Sequence, residues 1–147
     1  MKAIKEIMQN FPSYCAKQDK LQITADRMSQ SKVSFLPVVD ENENVIGTVN
    51  FEDVQSRINT DKFFDDKLCV GDVMRSESNI ITAYDDEATA LRMMRNSHTS
   101  HLTVVDEKNH LKGVVSFITL ARRIVLLKQE LGRDADRLKV RGLGLSM

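Results

Sequence analysis

The sequence carries no excess of charge of either sign: Lys and Arg number 21 together, and so do Asp and Glu. That balance withdraws support from nucleic acid or an anionic membrane surface as partner, because both are bound largely through surplus cations. No apolar run approaches the roughly 20 residues that a membrane-spanning helix needs. Near the C-terminal end, Ile124–Leu127 is interrupted at once by Lys128. The first ten residues include Lys2, Lys5 and Glu6, and they lack the apolar stretch of an export signal. We therefore expect a cytoplasmic protein with reduced thiols and no membrane insertion. Cysteine is scarce, with Cys15 and Cys69 far apart and without CxxC spacing. A zinc or redox pair is not expected on that ground, and both are expected as small apolar core residues.

Catalytic patterns are missing too. There is no G-x-S-x-G, no phosphate-binding P-loop and no G-x-G-x-x-G, and Gly142-Leu143-Gly144 is too short to serve as one. His98 and His101 are three apart and His110 lies elsewhere, with no cysteine or Glu-x-x-His arrangement to complete a metal set. Asp65-Asp66 and Asp85-Asp86 are adjacent carboxylates of the kind polar turns routinely contain. Nothing pairs a nucleophile with a base, so no catalytic role is expected.

What the sequence does contain is a copy of itself. Val38-Val39-Asp40-Glu41 returns as Val104-Val105-Asp106-Glu107, an offset of 66. The same offset carries Met8 onto Met74, Asp19 onto Asp85, Met28 onto Met94, Leu36 onto Leu102, Gly47 onto Gly113 and Phe51 onto Phe117. Lys5–Ile58 aligns with Gly71–Ile124 without a gap, and 15 of the 54 positions are identical. Matches at both ends of an ungapped alignment mark a true duplication.

Each copy reads as β-α-β-β-α. The first copy predicts a strand at Tyr14–Ala16, a helix at Leu21–Gln30, strands at Phe35–Val39 and Val45–Asn50, and a helix at Asp53–Ile58. The second predicts a strand at Asn79–Thr82, a helix over Ala88–Arg95 capped by Asp85 or Asp86, strands at His101–Val105 and Leu111–Phe117, and a helix from Thr119 to Leu131. The boundaries follow as 1–58 for the first repeat with its lead-in, 59–70 for a polar connection, 71–131 for the second repeat and 132–147 for a tail. Phe63-Phe64 is expected to pin the connection, residues 132–138 to extend the helix weakly, and the last residues to be loose. A unit of about 55 residues buries too little surface to be comfortable alone, so two units packed by pseudo-two-fold symmetry are expected.

At this point the residues resemble a family. Leu36-Pro37-Val38-Val39-Asp40, followed by Gly47-Thr48-Val49-Asn50-Phe51-Glu52-Asp53, is similar to the CBS-domain pattern. Leu102-Thr103-Val104-Val105-Asp106 with Gly113–Thr119 forms the second copy, and Gly71-Asp72-Val73-Met74 resembles the family's lead-in. The likeness covers about residues 4–127. It implies an α/β fold of two tandem CBS repeats, and a sensor module that binds AMP, ADP, ATP or S-adenosylmethionine between them. It also implies a homodimer, and an enzyme, channel or transporter regulated in trans. The alternative reading is a ligand-free dimerisation module; a metal-dependent enzyme ranks last.

Adenosine presents vicinal ribose hydroxyls that one carboxylate can accept, an adenine that needs an apolar slot, and phosphates that need donors. Asp53 stands at the position of the family's ribose-binding Asp; the competing role is a helix N-cap. Asn50 stands where the family has Thr or Ser facing phosphate, and Thr48 is expected to line the slot. The opposite wall falls to Asn79, Ile80, Thr99, Ser100 and His101. In the second cleft Ser116 keeps a hydroxyl, while Thr119 replaces the Asp; its far wall falls to Ser13, Tyr14 and Val33 with Lys32 nearby. One competent cleft and one weakened cleft are expected. Ser34-Phe35 replaces the His or Arg common before the first Leu-Pro-Val-Val-Asp strand, which counts against strong polyphosphate binding.

Overall fold

A computed structural model describes residues 2–10, 12–60, 67–76 and 79–140, the side chains of 134–140 excepted. Phe63-Phe64 and the last seven residues lie outside that range. The elements are β1 (Gln9–Asn10), β2 (Cys15–Ala16), α1 (Leu21–Ser31), β3 (Phe35–Val39), β4 (Val45–Asn50), α2 (Phe51–Thr60), β5 (Ile80–Thr82), α3 (Glu87–Ser97), β6 (His101–Val105), β7 (Leu111–Ser116) and α4 (Phe117–Val140). Thus β-α-β-β-α is written twice, as β2-α1-β3-β4-α2 and β5-α3-β6-β7-α4. Both final helices start two residues earlier than the sequence pattern indicates, α2 at Phe51 rather than Asp53 and α4 at Phe117 rather than Thr119. α4 continues to Val140, well beyond Leu131.

The duplication extends to backbone detail. Among the described residues, the non-glycine ones with positive φ are Lys32 (56°), Glu43 (67°), His98 (52°) and Asn109 (66°), two pairs at the offset of 66. Lys32 and His98 close α1 and α3 in the left-handed conformation. Such a conformation costs roughly 1–2 kcal/mol without glycine; at Lys32 and His98 it comes with cap N–H bonds to Met28 O and Met94 O. Strand register slips at Val38/Val39 and again at Val104/Val105. Asp40 explains its own recurrence as Asp106: each carboxylate accepts two backbone N–H groups of its hairpin turn, from Asn42 and Asn44 and from Lys108 and His110. Those backbone donors hold both carboxyl groups below the usual range.

Two sheets result, ordered β1-β7-β6-β5 and β2-β3-β4. β1 belongs to the first lead-in, yet it pairs antiparallel with β7 of the second unit. The second lead-in reciprocates with a single antiparallel bridge from Arg75 to Thr48 of β4. The same crossing recurs just upstream, where Ile4 N–H donates to Asp85 O (2.7 Å) and Val70 N–H to Asp19 O (2.9 Å). Ile4, fully buried, joins Ile81, Met94, Leu102 and Leu120; Val70, fully buried, joins Leu21, Met28, Leu36 and Val54. Fully burying one such side chain stabilises by about 1.5–3 kcal/mol. Each sequence unit therefore supplies a piece of the other's core.

Gly47 and Gly113 permit this crossing. A Cβ on Gly47 would stand 2.5 Å from Arg75 O, and one on Gly113 would stand 2.6 Å from Met8 Sδ and 2.7 Å from Gln9 O. Only a residue lacking Cβ lets the lead-ins lie so close.

The symmetry axis is marked by equivalent residues that touch. Phe35 stacks on His101, and Asn44 bridges His110. Between them Val39, Val45 and Val105 form an apolar seam joined by Ile80 and Leu111.

Candidate functional site

α2 begins at Phe51, which puts Asp53 third in the helix rather than at its cap. The capping role weighed for Asp53 is thus not the one it plays. The Asp53 carboxylate instead faces the second lead-in. Arg75 Nε donates to Asp53 Oδ2 at 2.8 Å and Arg75 Nη2 to Oδ1 at 3.2 Å, while Asn50 Nδ2 reaches Oδ2 at 3.5 Å. The side chains are 60% and 30% exposed, so the pair adds little to stability. Asp53 raises the Arg75 pKa further above its ordinary value by hydrogen bonding and charge. Thr48 is buried, and its N–H and C=O exchange hydrogen bonds of 2.9 and 2.8 Å with the Arg75 backbone.

Beside this group lies a cavity of about 340 Å³, lined by Ser34, Phe35, Asn50, Phe51 and Glu52 from the first unit and by His98, Thr99, Ser100 and His101 from the second. The fold thus brings Asn50, Thr99, Ser100 and His101 together across the seam. Its floor is the Phe35–His101 stack, with ring centroids 5.1 Å apart and planes inclined by 11°. Ser100 Oγ meets His101 Nδ1 at 3.0 Å. Burial pushes the His101 pKa below its ordinary value, which favours the neutral ring.

Asn79 and Ile80 are not part of that lining. Ile80 packs against the valine seam, and Asn79 is buried with an Oδ1 that has no hydrogen-bond partner among the described residues. The α4 end is self-satisfied. Ser116 Oγ accepts from Thr119 N–H at 3.3 Å and lies 3.0 Å from Thr119 Oγ1, so the helix cap uses the hydroxyls expected to face a ligand. Tyr14 is 55% exposed and Val33 half-buried on the far side. Sequence reasoning did not select Ser34, Phe35, Phe51, Glu52 and His98 of the lining, nor Arg75, which reaches Asp53 beside it.

The thiols differ from each other. Cys15 is buried, donates to Pro37 O at 3.6 Å, and has its pKa pushed up to about 12, first by burial and then by the charge of Asp19. Cys69 is not a core residue as expected; it is half-exposed, and its Sγ lies 3.4 Å from Asp72 Oδ2. Among the described residues no group of three or more His, Cys, Asp and Glu is placed to hold a metal ion. Among them, too, no helix is long and apolar enough to cross a membrane.

Two α/β units that share a seam, exchange their lead-ins and enclose a polar cleft define a tandem-repeat module. The CBS domain matches residues 4–59 and again 70–126, and the chain belongs to the CBS-domain family as a tandem pair. The uncharacterized protein MJ1232 of Methanocaldococcus jannaschii is 31% identical over 99 residues, covering 65% of this chain and 30% of the relative. A homoserine O-acetyltransferase of Methanocorpusculum labreanum is 27% identical over 123 residues, 84% of this chain and 24% of the relative. The chain therefore spans less than a third of these relatives. Among solved structures, CBSX2 in complex with AMP superposes with a TM-score of 0.73 at 20% identity, covering 87% of this chain and 99% of the other. The CBS domain pair of MJ0100, in complex with 5'-methylthioadenosine and S-adenosyl-L-methionine, gives 0.73 at 18% identity, with 84% and 96% covered. At these identities the structural likeness establishes the fold.

Proposed function

We propose that this chain is a non-catalytic regulatory module of the cytoplasm. It binds an adenosine-containing ligand (AMP, ADP, ATP or S-adenosylmethionine) between its repeats and signals occupancy to a partner enzyme, channel or transporter. The observation that carries this reading is the cavity of about 340 Å³ across the seam, with Asn50 on one wall, Ser100 and His101 on the other, and Asp53 held beside it by Asn50. Its size lies within the usual range of about 300–1,000 Å³ for small-molecule sites. Asp53 accepts the ribose diol, the aromatic floor faces the adenine, and Asn50 and Ser100 donate to polar groups. The bound adenosine ligands of CBSX2 and MJ0100 support the ligand class. Only a ligand that favours one arrangement of the two units can shift the module between states.

Calorimetry with AMP, ADP, ATP and S-adenosylmethionine tests this on the wild type and Asp53→Ala. Binding in the micromolar range, weakened about tenfold or more by the substitution, is expected for loss of a charge-assisted acceptor. Absence of binding below millimolar for all four overturns the reading.

A second reading, an interaction module working through a homodimer, is favoured by α4. Ile118, Val125 and Leu126 are 61%, 55% and 58% exposed on that helix. A concentration-dependent dimer lost in Val125→Asp, with no ligand effect on melting temperature, supports it.

A further inference from the structure

The Asp53 carboxylate is already engaged. Arg75 places one N–H on each of its two oxygens, at 2.8 and 3.2 Å, in the planar geometry by which guanidinium matches a carboxylate. A ribose diol needs those same two oxygens. The Arg75 backbone is fixed by its two hydrogen bonds to Thr48, whereas its side chain is 60% exposed. The guanidinium can therefore leave Asp53 while its Cα stays at the edge of the cleft. The repeat supplies a second, independent observation. At the offset of 66, Asp53 corresponds to Thr119 and Arg75 to Gln9. Carboxylate and cation are present together at this crossing of helix and lead-in and absent together from its equivalent.

We propose that Arg75 is a specificity-determining residue that makes the Asp53 cleft select phosphorylated adenosine ligands over neutral or cationic ones. This rests on the ligand-binding reading above. In the empty cleft Arg75 occupies Asp53. A nucleoside that takes Asp53 strands the guanidinium, and its binding is weakened by the lost pair. A nucleotide takes Asp53 with its diol and gives Arg75 a phosphate in exchange, so both charges stay paired. S-adenosylmethionine offers one carboxylate but carries a sulfonium and an ammonium as well, a net positive charge, and is disfavoured relative to a nucleotide by like-charge repulsion with Arg75.

The test is calorimetry of adenosine, AMP and S-adenosylmethionine against the wild type, Arg75→Gln and Arg75→Lys. The wild type is expected to bind AMP at least about tenfold more tightly than adenosine, the size of one charge-assisted contact. In Arg75→Gln, which installs the residue type of Gln9, adenosine gains affinity and AMP loses it, so the ratio collapses toward one. Arg75→Lys keeps a preference for AMP. If all three ligands bind and the AMP-to-adenosine ratio is the same in Arg75→Gln as in wild type, Arg75 is a surface ion pair only and the proposal fails while the cleft stands. If no adenosine compound binds to any of the folded proteins, the cleft reading fails and takes this one with it.

Discussion

The Phe35 ring lies on the His101 imidazole with centroids 5.1 Å apart, and the two residues hold the same position in their repeats. Contact between equivalents occurs only on a symmetry axis, so this stack is where the duplication closes on itself. It is also where chemical symmetry is broken, an apolar ring meeting a titratable one. Phe35 is 8% exposed. Truncation to Ala is expected to lower unfolding stability by about 3 kcal/mol, near the lower end for buried aromatics because the cavity beside it can admit water. Denaturant melts of Phe35→Ala and Phe35→Leu measure this, with Leu retaining most of the stability.

The pH dependence follows from the other member of the stack. Burial lowers the His101 pKa in the folded state below the ordinary 6.5. At acid pH the unfolded chain therefore holds a proton that the folded one resists. This contribution to stability is complete above about pH 6.5 and is lost as pH falls toward the lower, folded value. Glu52 and His98 face the same cavity. Melts between pH 5 and 8 should show a drop below 6.5 that is reduced in His101→Phe, which keeps the stack; an unchanged drop would assign it to other groups.

Two glycines give opposite predictions. Gly47→Ala would drive a Cβ to 2.5 Å from the Arg75 carbonyl, and is expected to destabilise by about 1–3 kcal/mol. Gly132 lies in α4 with nothing within 4 Å of its added Cβ, so Gly132→Ala should stabilise by about 0.5–1 kcal/mol through helix propensity. Chemical denaturation of the two variants checks the signs.

Glu87 is 3% exposed and holds Arg123 at 2.9 Å (Nε) and 2.7 Å (Nη2). Removing one partner strands the other's charge, so Glu87→Ala should cost about 3–5 kcal/mol. The double variant Glu87→Leu/Arg123→Leu should recover part of that, since Leu21 already serves at the equivalent place in the first unit. A double-mutant cycle on unfolding free energy measures the coupling.

With its pKa near 12, Cys15 is almost wholly a protonated thiol at neutral pH, and it is buried. A thiol reagent at pH 8 should therefore label one cysteine, Cys69, quickly in the folded protein and the second only on denaturation. Mass mapping of the modified residue decides between them.

The elements of both units were legible because their apolar spacing is local and is written twice. Asp40 and Asp106 stood out for the same reason, although their work is to hold hairpin turns. What escaped were relations between distant segments. Asp53 and Arg75 are 22 positions apart and share no pattern, so the residue that engages the carboxylate could not be read from spacing. The burial of Glu87 likewise depends on Arg123, which reaches it from another helix. Ser116 and Thr119 occupy ligand positions of the motif, yet because α4 starts at Phe117 they cap that helix through each other. The crossing of the lead-ins was hidden altogether, because the repeat aligns each one with its own unit.

That crossing makes each unit dependent on the other. A single unit of this kind, cut free with its own upstream segment, leaves Ile4 or Val70 with no cavity of its own to fill, while its sheet waits for the same residue from elsewhere. Its natural complement is another molecule of itself. Carried on one chain, the two copies meet intramolecularly, so the exchange does not depend on concentration.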